Sequence, residues 1–428
     1  MKIRRWGSFI LLCIVFLSCT ACNHTTVSED SEKEKLIIWA WDEYFNIKAA
    51  NEAKKIFMES NPNIEVEVVT MTQDEVISKL NIALSSGDYM GLPNIVLIED
   101  YRIQKYLKEY QKDFSDLSDI ASAQDFVAYK TSANQIDGKL YGIPFDSGVA
   151  VLFYRIDFIE AAGYTQKDME NLTWEKYIEI GKNVKEKTGK YMLSLEPNDL
   201  GQIRMMLQSA GSWYTDENGN VNIKNNQALK DAIITYQKIF DSGISNQVAD
   251  WSQFVNAFQE GKVATVPIGC WISTSIMSSE EQSGKWALAA FPRMEQNPNS
   301  VNASSIGGGA WYVLKNVGNE KYAKQFLKET FASDSNLLSR LGTEIHLVST
   351  LKAVEETDNY KKGVEFYNGQ TVGSDLMIWQ NKIPMVNYGE DTYKIEDSLK
   401  GAIQRILEGE EMDKVLEQYH KELAQVME

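Results

Sequence analysis

Aromatic rings gather beside acidic, polar or small residues at five points of this chain. They are Trp41-Asp42-Glu43-Tyr44-Phe45, Glu99-Asp100-Tyr101, Pro144-Phe145-Asp146, Trp213-Tyr214 and Gly269-Cys270-Trp271. With 10 Trp, 20 Tyr and 16 Phe in the chain, any one ring is equally well explained as core or rim packing. The clustering is what favours a site. Two chemistries need this mixture. A sugar stacks its C–H face on a flat ring while its hydroxyls seek carboxylate and amide partners. A glycosidase instead sets two carboxyl groups about a scissile bond, one as acid and one as nucleophile or base. The second signal is weak, because acidic residues number 60 and some adjacency arises by chance. Acids and rings together also suit organic cations such as polyamines.

Other chemistries lack their motifs. His24, His346 and His420 share no metal-ligand spacing, so neither a metal nor a cofactor is expected. There is no Gly-x-Ser-x-Gly elbow, no Gly-x-x-x-x-Gly-Lys-Ser/Thr loop, and no Gly-x-Gly-x-x-Gly after a strand. Gly307-Gly308-Gly309 precedes a strand, which is the wrong side for a phosphate-binding turn. Asp216-x-Asn218-x-Asn220 opens like a calcium loop, but Val221 stands where glycine is needed and no Glu closes it. It reads as a tight Asn-Gly turn.

The elements that must carry these clusters follow from periodicity. Leu36 to Trp41 is a nearly continuous apolar run, the pattern of a strand buried on both faces. Ala49, Ala50, Ala53, Ile56 and Phe57 share a helix face that stops near Asn61-Pro62. Ile64, Val66 and Val68 alternate with Glu65 and Glu67, a half-buried strand. Val76 to Leu84 reads as a helix ending by Gly87, and Ile95 to Ile98 as another buried strand. Strand, helix, strand, helix, strand implies an α/β architecture with parallel strands. Further strands are predicted over 149–154, 263–268 and 310–314, with helices over 174–186, 200–210, 229–242, 321–331 and 395–427. The clusters then fall at strand ends, where open α/β sheets bind ligands.

The N-terminus sets the compartment. Lys2, Arg4 and Arg5 precede an apolar stretch from Phe9 to Leu17, then Ser18-Cys19-Thr20-Ala21 and Cys22. That is the pattern of a secretory signal peptide, too short for a span of roughly 20 residues. A Cys directly after small residues resembles a bacterial lipobox, with lipid on Cys22. Cys19 is the weaker alternative, and an ordinary cleaved signal the bland one. Residues 1–21 are expected to leave, and 22–35 to form a polar tether. Loss of three cations takes the formal charge from −17 to −20, which repels phosphate backbones and disfavours nucleic acid. Only Cys270 then remains besides Cys22, so the exported body must rely on its core rather than on disulfides. A mean hydropathy of −0.33 agrees with a soluble body held to the membrane by lipid alone. The length suits about two to three domain-sized cores, and no Pro/Gly/Ser-rich linker divides them. Two lobes would therefore be joined by segments crossing inside the fold.

Several motifs in order resemble the family 1 extracellular solute-binding proteins, the sugar-binding components of ABC importers, similar to maltose-binding protein. They are Leu36 to Asp42, Phe57 with Asn61 to Glu67, Leu84 to Gly87, Pro93 to Asp100, Leu140 to Pro144, Phe153 to Arg155, Gly261 to Ala264 and Gly269 to Trp271. The resemblance implies a two-lobed periplasmic-binding-protein-like fold with a hinge. One lobe would comprise residues 36–144 and 293–345, the other 145–292 and 346–428. It implies an oligosaccharide ligand, ABC permease subunits as partners, a monomer, and no catalysis. By position, Trp41, Asp42, Phe45, Asn46 and Asp100 would line one lobe, with Asp146 near the first crossing. Glu196, Trp213 and Trp271 would line the other, with Tyr388 from the late helical part. Trp271 is the foremost of these, since the family commonly places a stacking ring after such a strand and Gly. Asn198 stands where maltose binders often carry an aromatic residue, which argues against maltodextrin. Ile383 to Gly389 resembles members that take up small galactose-containing or plant oligosaccharides.

Overall fold

The computed structural model describes residues 33–197 and 199–427. The signal segment, Cys19, Cys22, most of the tether and Asn198 lie outside the described residues. The first strand begins at Glu34, so the expected tether gives way to sheet slightly early.

The opening of the chain builds the first sheet. Its strands lie in the order Ile64–Thr70, Glu34–Ala40, Ile95–Glu99, Gly309–Val313, Gly142–Pro144. The first three are parallel, as the alternation of strand and helix requires. Two helices connect them. Asn46–Ser60 buries Ala49, Ala50, Ala53 and Phe57, and Gln73–Ser86 starts at a Thr72/Glu75 capping box. Gly309–Val313 enters antiparallel to both of its neighbours, arriving from far downstream of each.

Val149–Arg155 is the centre of the second sheet and is buried throughout. Thr265–Gly269 pairs with it on one side, and Trp286–Ala290 and Ser304–Ser305 on the other, all antiparallel. Residues 293–305 stay with this sheet: Arg293 bridges Thr173, and Ser304–Ser305 pairs with Val149 and Ala150.

Three segments run between the sheets and are bonded to one another. Phe145 N donates to Gly309 O at 3.0 Å, Ile306 N to Gly148 O at 2.8 Å, and Ser147 N to Val348 O at 2.9 Å. Gly148 is required by close approach, since a Cβ there would stand 2.2 Å from Ile306 O.

The C-terminal stretch differs from the single helical run expected. It forms two helices, Thr392–Leu407 and Met412–Met427, packed on each other. Gly409 lies in the break at a φ of 98°, which ends a helix. The apolar stripe continues through both, because both cover the same core with Leu399, Ile403, Val415 and Leu416.

Cys270 is buried, and its thiol donates to Ser147 O at 3.3 Å. Burial pushes the thiol pKa well up, so the reactive thiolate is scarce. A soluble chain starting at Asn23 should therefore resist a thiol-specific reagent while folded and take up one equivalent after denaturation. Rapid labelling of the folded chain would contradict this burial.

Candidate ligand-binding cleft

A cleft of about 430 Å³ opens beyond the carboxyl ends of the Glu34–Ala40, Ile95–Glu99 and Thr265–Gly269 strands, where the crossing segments run. Trp41, Asp42, Phe45 and Asn46 follow the Glu34–Ala40 strand into it, and Glu99 ends the Ile95 strand beside them. Asp146 and Gly307–Gly309 form its floor. Trp271, Thr274 and Ser275 face it from beyond the Thr265–Gly269 strand. Six of the ten residues expected from sequence are thus gathered: Trp41, Asp42, Phe45, Asn46, Asp146 and Trp271.

Local structure fixes each of them. Asp42 adopts a φ of 63°, and its Oδ1 accepts from the backbone N–H groups of Tyr44 and Phe45, both at 3.1 Å. Its carboxylate shapes the turn that delivers Phe45 and Asn46 to the next helix. Phe45 meets the Phe145 ring edge to face at 6.3 Å. Trp271 donates from Nε1 to Ile306 O at 3.0 Å, which ties the ring to a crossing segment. The ring folds back over Gly269, where a Cβ would lie 2.2 Å from Nε1.

The floor is electrically loaded. Asp146 Oδ1 accepts from Gly309 N at 2.8 Å. Behind it Lys130, fully buried, is ion-paired with Asp100 and also donates to Gly309 O at 3.3 Å. Burial raises the pKa of Asp100 to about 6, against the opposing pull of Lys130. Burial raises Asp146 in the same way. One ammonium thus serves two carboxyl groups. Asp100 stands behind the cleft wall and does not line it.

The other three expected residues lie elsewhere. Glu196 lines an adjoining small depression with Asp199, Gln202, Trp251 and Ile306. Its carboxyl pKa is raised by desolvation and then by Asp199 and Asp250. Trp213 and Tyr388 are buried. Trp213 stacks on Tyr101 at 5.3 Å, meets Tyr388 at 4.7 Å, and donates from Nε1 to Thr392 Oγ1 at 3.0 Å. Tyr388 accepts from Gln208 Nε2 at 3.0 Å. Neither ring is open to the cleft: both are buried against each other and Tyr101. A separate cavity of about 320 Å³, lined by Phe153, Leu288, Tyr360 and Leu376 among others, holds none of the ten.

The chain matches the family of bacterial extracellular solute-binding proteins over residues 52–368. This chain belongs to that family. As a solute-binding protein it is similar to the lactose-binding protein of Rhizobium radiobacter, with 38% identity over 89% of this chain and 90% of the relative. It is also similar to the arabinooligosaccharide-binding protein of Bacillus subtilis (strain 168), with 26% identity over 92% of each chain. In fold it matches the solved galacto-N-biose-/lacto-N-biose I-binding protein of the ABC transporter from Bifidobacterium longum. The TM-score is 0.74 and the identity 19%, covering 94% of this chain and 98% of that one. The two sheets and their crossing segments are the two-lobed fold of this class.

Sequence reasoning about this solute-binding protein passed over Trp251, Gln73, Thr274 and Ser275, all of which line the cleft. Trp251 had a signal. It opens the helix Trp251–Gln259 after the capping Asp250, and Phe254 falls on the same face three residues on. Gly269→Ala is expected to displace the Trp271 ring and lower ligand affinity about tenfold, read by calorimetric titration. An unchanged affinity would show that the ring position is not set by Gly269.

Proposed function

We propose that this solute-binding protein is the oligosaccharide receptor of an ABC importer, held outside the cell by a lipid on Cys22 and acting as a monomer. The observation that carries the reading is Trp271, held by Ile306 and Gly269 in the cleft that Trp41 and Asp146 also line. Flat rings with carboxylate and hydroxyl groups between them suit a saccharide. The lactose and arabinooligosaccharide relatives support a small galactose-containing or plant oligosaccharide as the ligand.

The lobes would meet at the crossings, with the second return to the N-terminal lobe near Ile306 rather than at residue 293. Residues 36–144 would open that lobe. The other would hold 145–292 and the chain from 346 on. The ligand contacts both lobes only when they close, and that difference in affinity drives closure. Permease subunits would read the closed form.

Calorimetric titration of the soluble chain from Asn23 with lactose, arabinooligosaccharides and polyamines tests the reading. Binding of an intact sugar supports it. Binding of polyamines alone would overturn the sugar assignment, and cleaved sugar would overturn the receptor assignment.

A further inference from the structure

Trp251 stands out in this molecule as a large ring left half open to solvent, at 49% exposure, on a fully supported base. Its ring stacks on Phe254 at 5.3 Å and 17°, and Trp271 flanks it at 5.9 Å. The helix start beneath it is pinned by Asp250, whose Oδ1 accepts from Gln253 N at 2.9 Å, and by Gln253 Oε1, which accepts from Ala249 N at 3.1 Å. A solvent-facing indole that loses little freedom on contact is a preformed stacking surface.

Trp251 belongs to two depressions at once. On one side is the main cleft with Trp271. On the other is the small depression of Glu196, Asp199 and Gln202, with about 30 Å³ of space. That space admits one or two water-sized groups and no sugar ring. Gln202 donates from Nε2 to Pro267 O at 2.6 Å, and among the described residues its buried Oε1 has no partner. Asp199 Oδ1 already accepts from Gly201 N at 2.9 Å. The depression therefore offers acceptors, one of them buried and unsatisfied, which is costly until a donor arrives.

We infer that Trp251 carries a further sugar unit beyond those in the main cleft. An exocyclic hydroxyl of that unit enters the small depression and donates to Gln202 Oε1. The ligand is accordingly an oligosaccharide of at least three units rather than a disaccharide. This rests on the sugar-binding reading above.

The test is a length series on the chain from Asn23: lactose against β-linked galactooligosaccharides of three and four units, and arabinan oligosaccharides of two to four units. In the series that binds, the trisaccharide should bind about tenfold tighter than the disaccharide, as one buried stacking contact implies. Trp251→Ala and Gln202→Met should each bring that ratio to about one, with unchanged thermal unfolding confirming the fold. Equal affinity for two and three units in the unmodified protein, or a ratio preserved in both variants, overturns the inference while leaving sugar binding standing. Binding of no sugar at all overturns the sugar reading itself.

Discussion

Lys130→Met is expected to destabilise the protein by about 3–5 kcal/mol in chemical denaturation, the range for stranding one partner of a buried ion pair. The reason is geometric. Lys130 and Asp100 are each essentially without solvent contact, and among the described residues Asp100 Oδ1 has no hydrogen-bond partner. Asp146 adds a second carboxyl group beside the same ammonium. Without Lys130, an ionised Asp100 would have neither counter-charge nor water. The sign with pH follows from its raised pKa. Asp100 lies at about 6 in the folded chain, above its ordinary 3.8, so the folded state holds that proton more tightly than the unfolded one. The stability this contributes is complete below the ordinary carboxylate range and is lost as pH rises through about 6. Removing Lys130 raises the folded pKa further. The variant's deficit should therefore be largest near pH 8 and shrink toward pH 5. Adding Asp100→Asn to it should recover most of the loss at pH 8. A single variant within about 1 kcal/mol of the parent at pH 8 would mean that water reaches the pair.

Trp271→Ala is the second large effect, on binding rather than stability. The ring is partly open to the cleft, so its removal takes contact area from a ligand more than from the core. Loss of about 1–3 kcal/mol is expected, a fall of roughly five- to more than a hundredfold in affinity. Thermal unfolding would register the lost Ile306 hydrogen bond and the ring's packing on Trp251 and the core beside it. Titration of the variant with the best-binding sugar decides the point. Unaltered affinity would remove Trp271 from the site and leave Trp41 and Trp251 to carry the stacking.

Lys130 also shows where sequence reading stops. Nothing around Tyr129-Lys130-Thr131 marks that lysine as buried; its partner lies on the helix after the third strand and its neighbours on a crossing segment. Trp213 and Tyr388 show the converse. Their types and positions suit a cleft, but they pack on each other and on Tyr101. Trp251 and Phe254 share a helix face in the sequence, yet what lies opposite that face comes from Trp271 and Gln202, on other elements.

By itself the sequence determined most of the elements: the opening strands and the helices between them, the buried run of Val149–Arg155, and rings placed just beyond strand ends. These follow from the side-chain period within one element, which is local. The tertiary structure alone decided that Gly309–Val313 inserts antiparallel into the first sheet and that the second sheet is antiparallel around its central strand. It also decided which rings remain open. A strand that is apolar on both faces carries no record of its neighbours' direction. A ring's exposure is set by whatever distant segment packs on it, and periodicity within one element is blind to that segment.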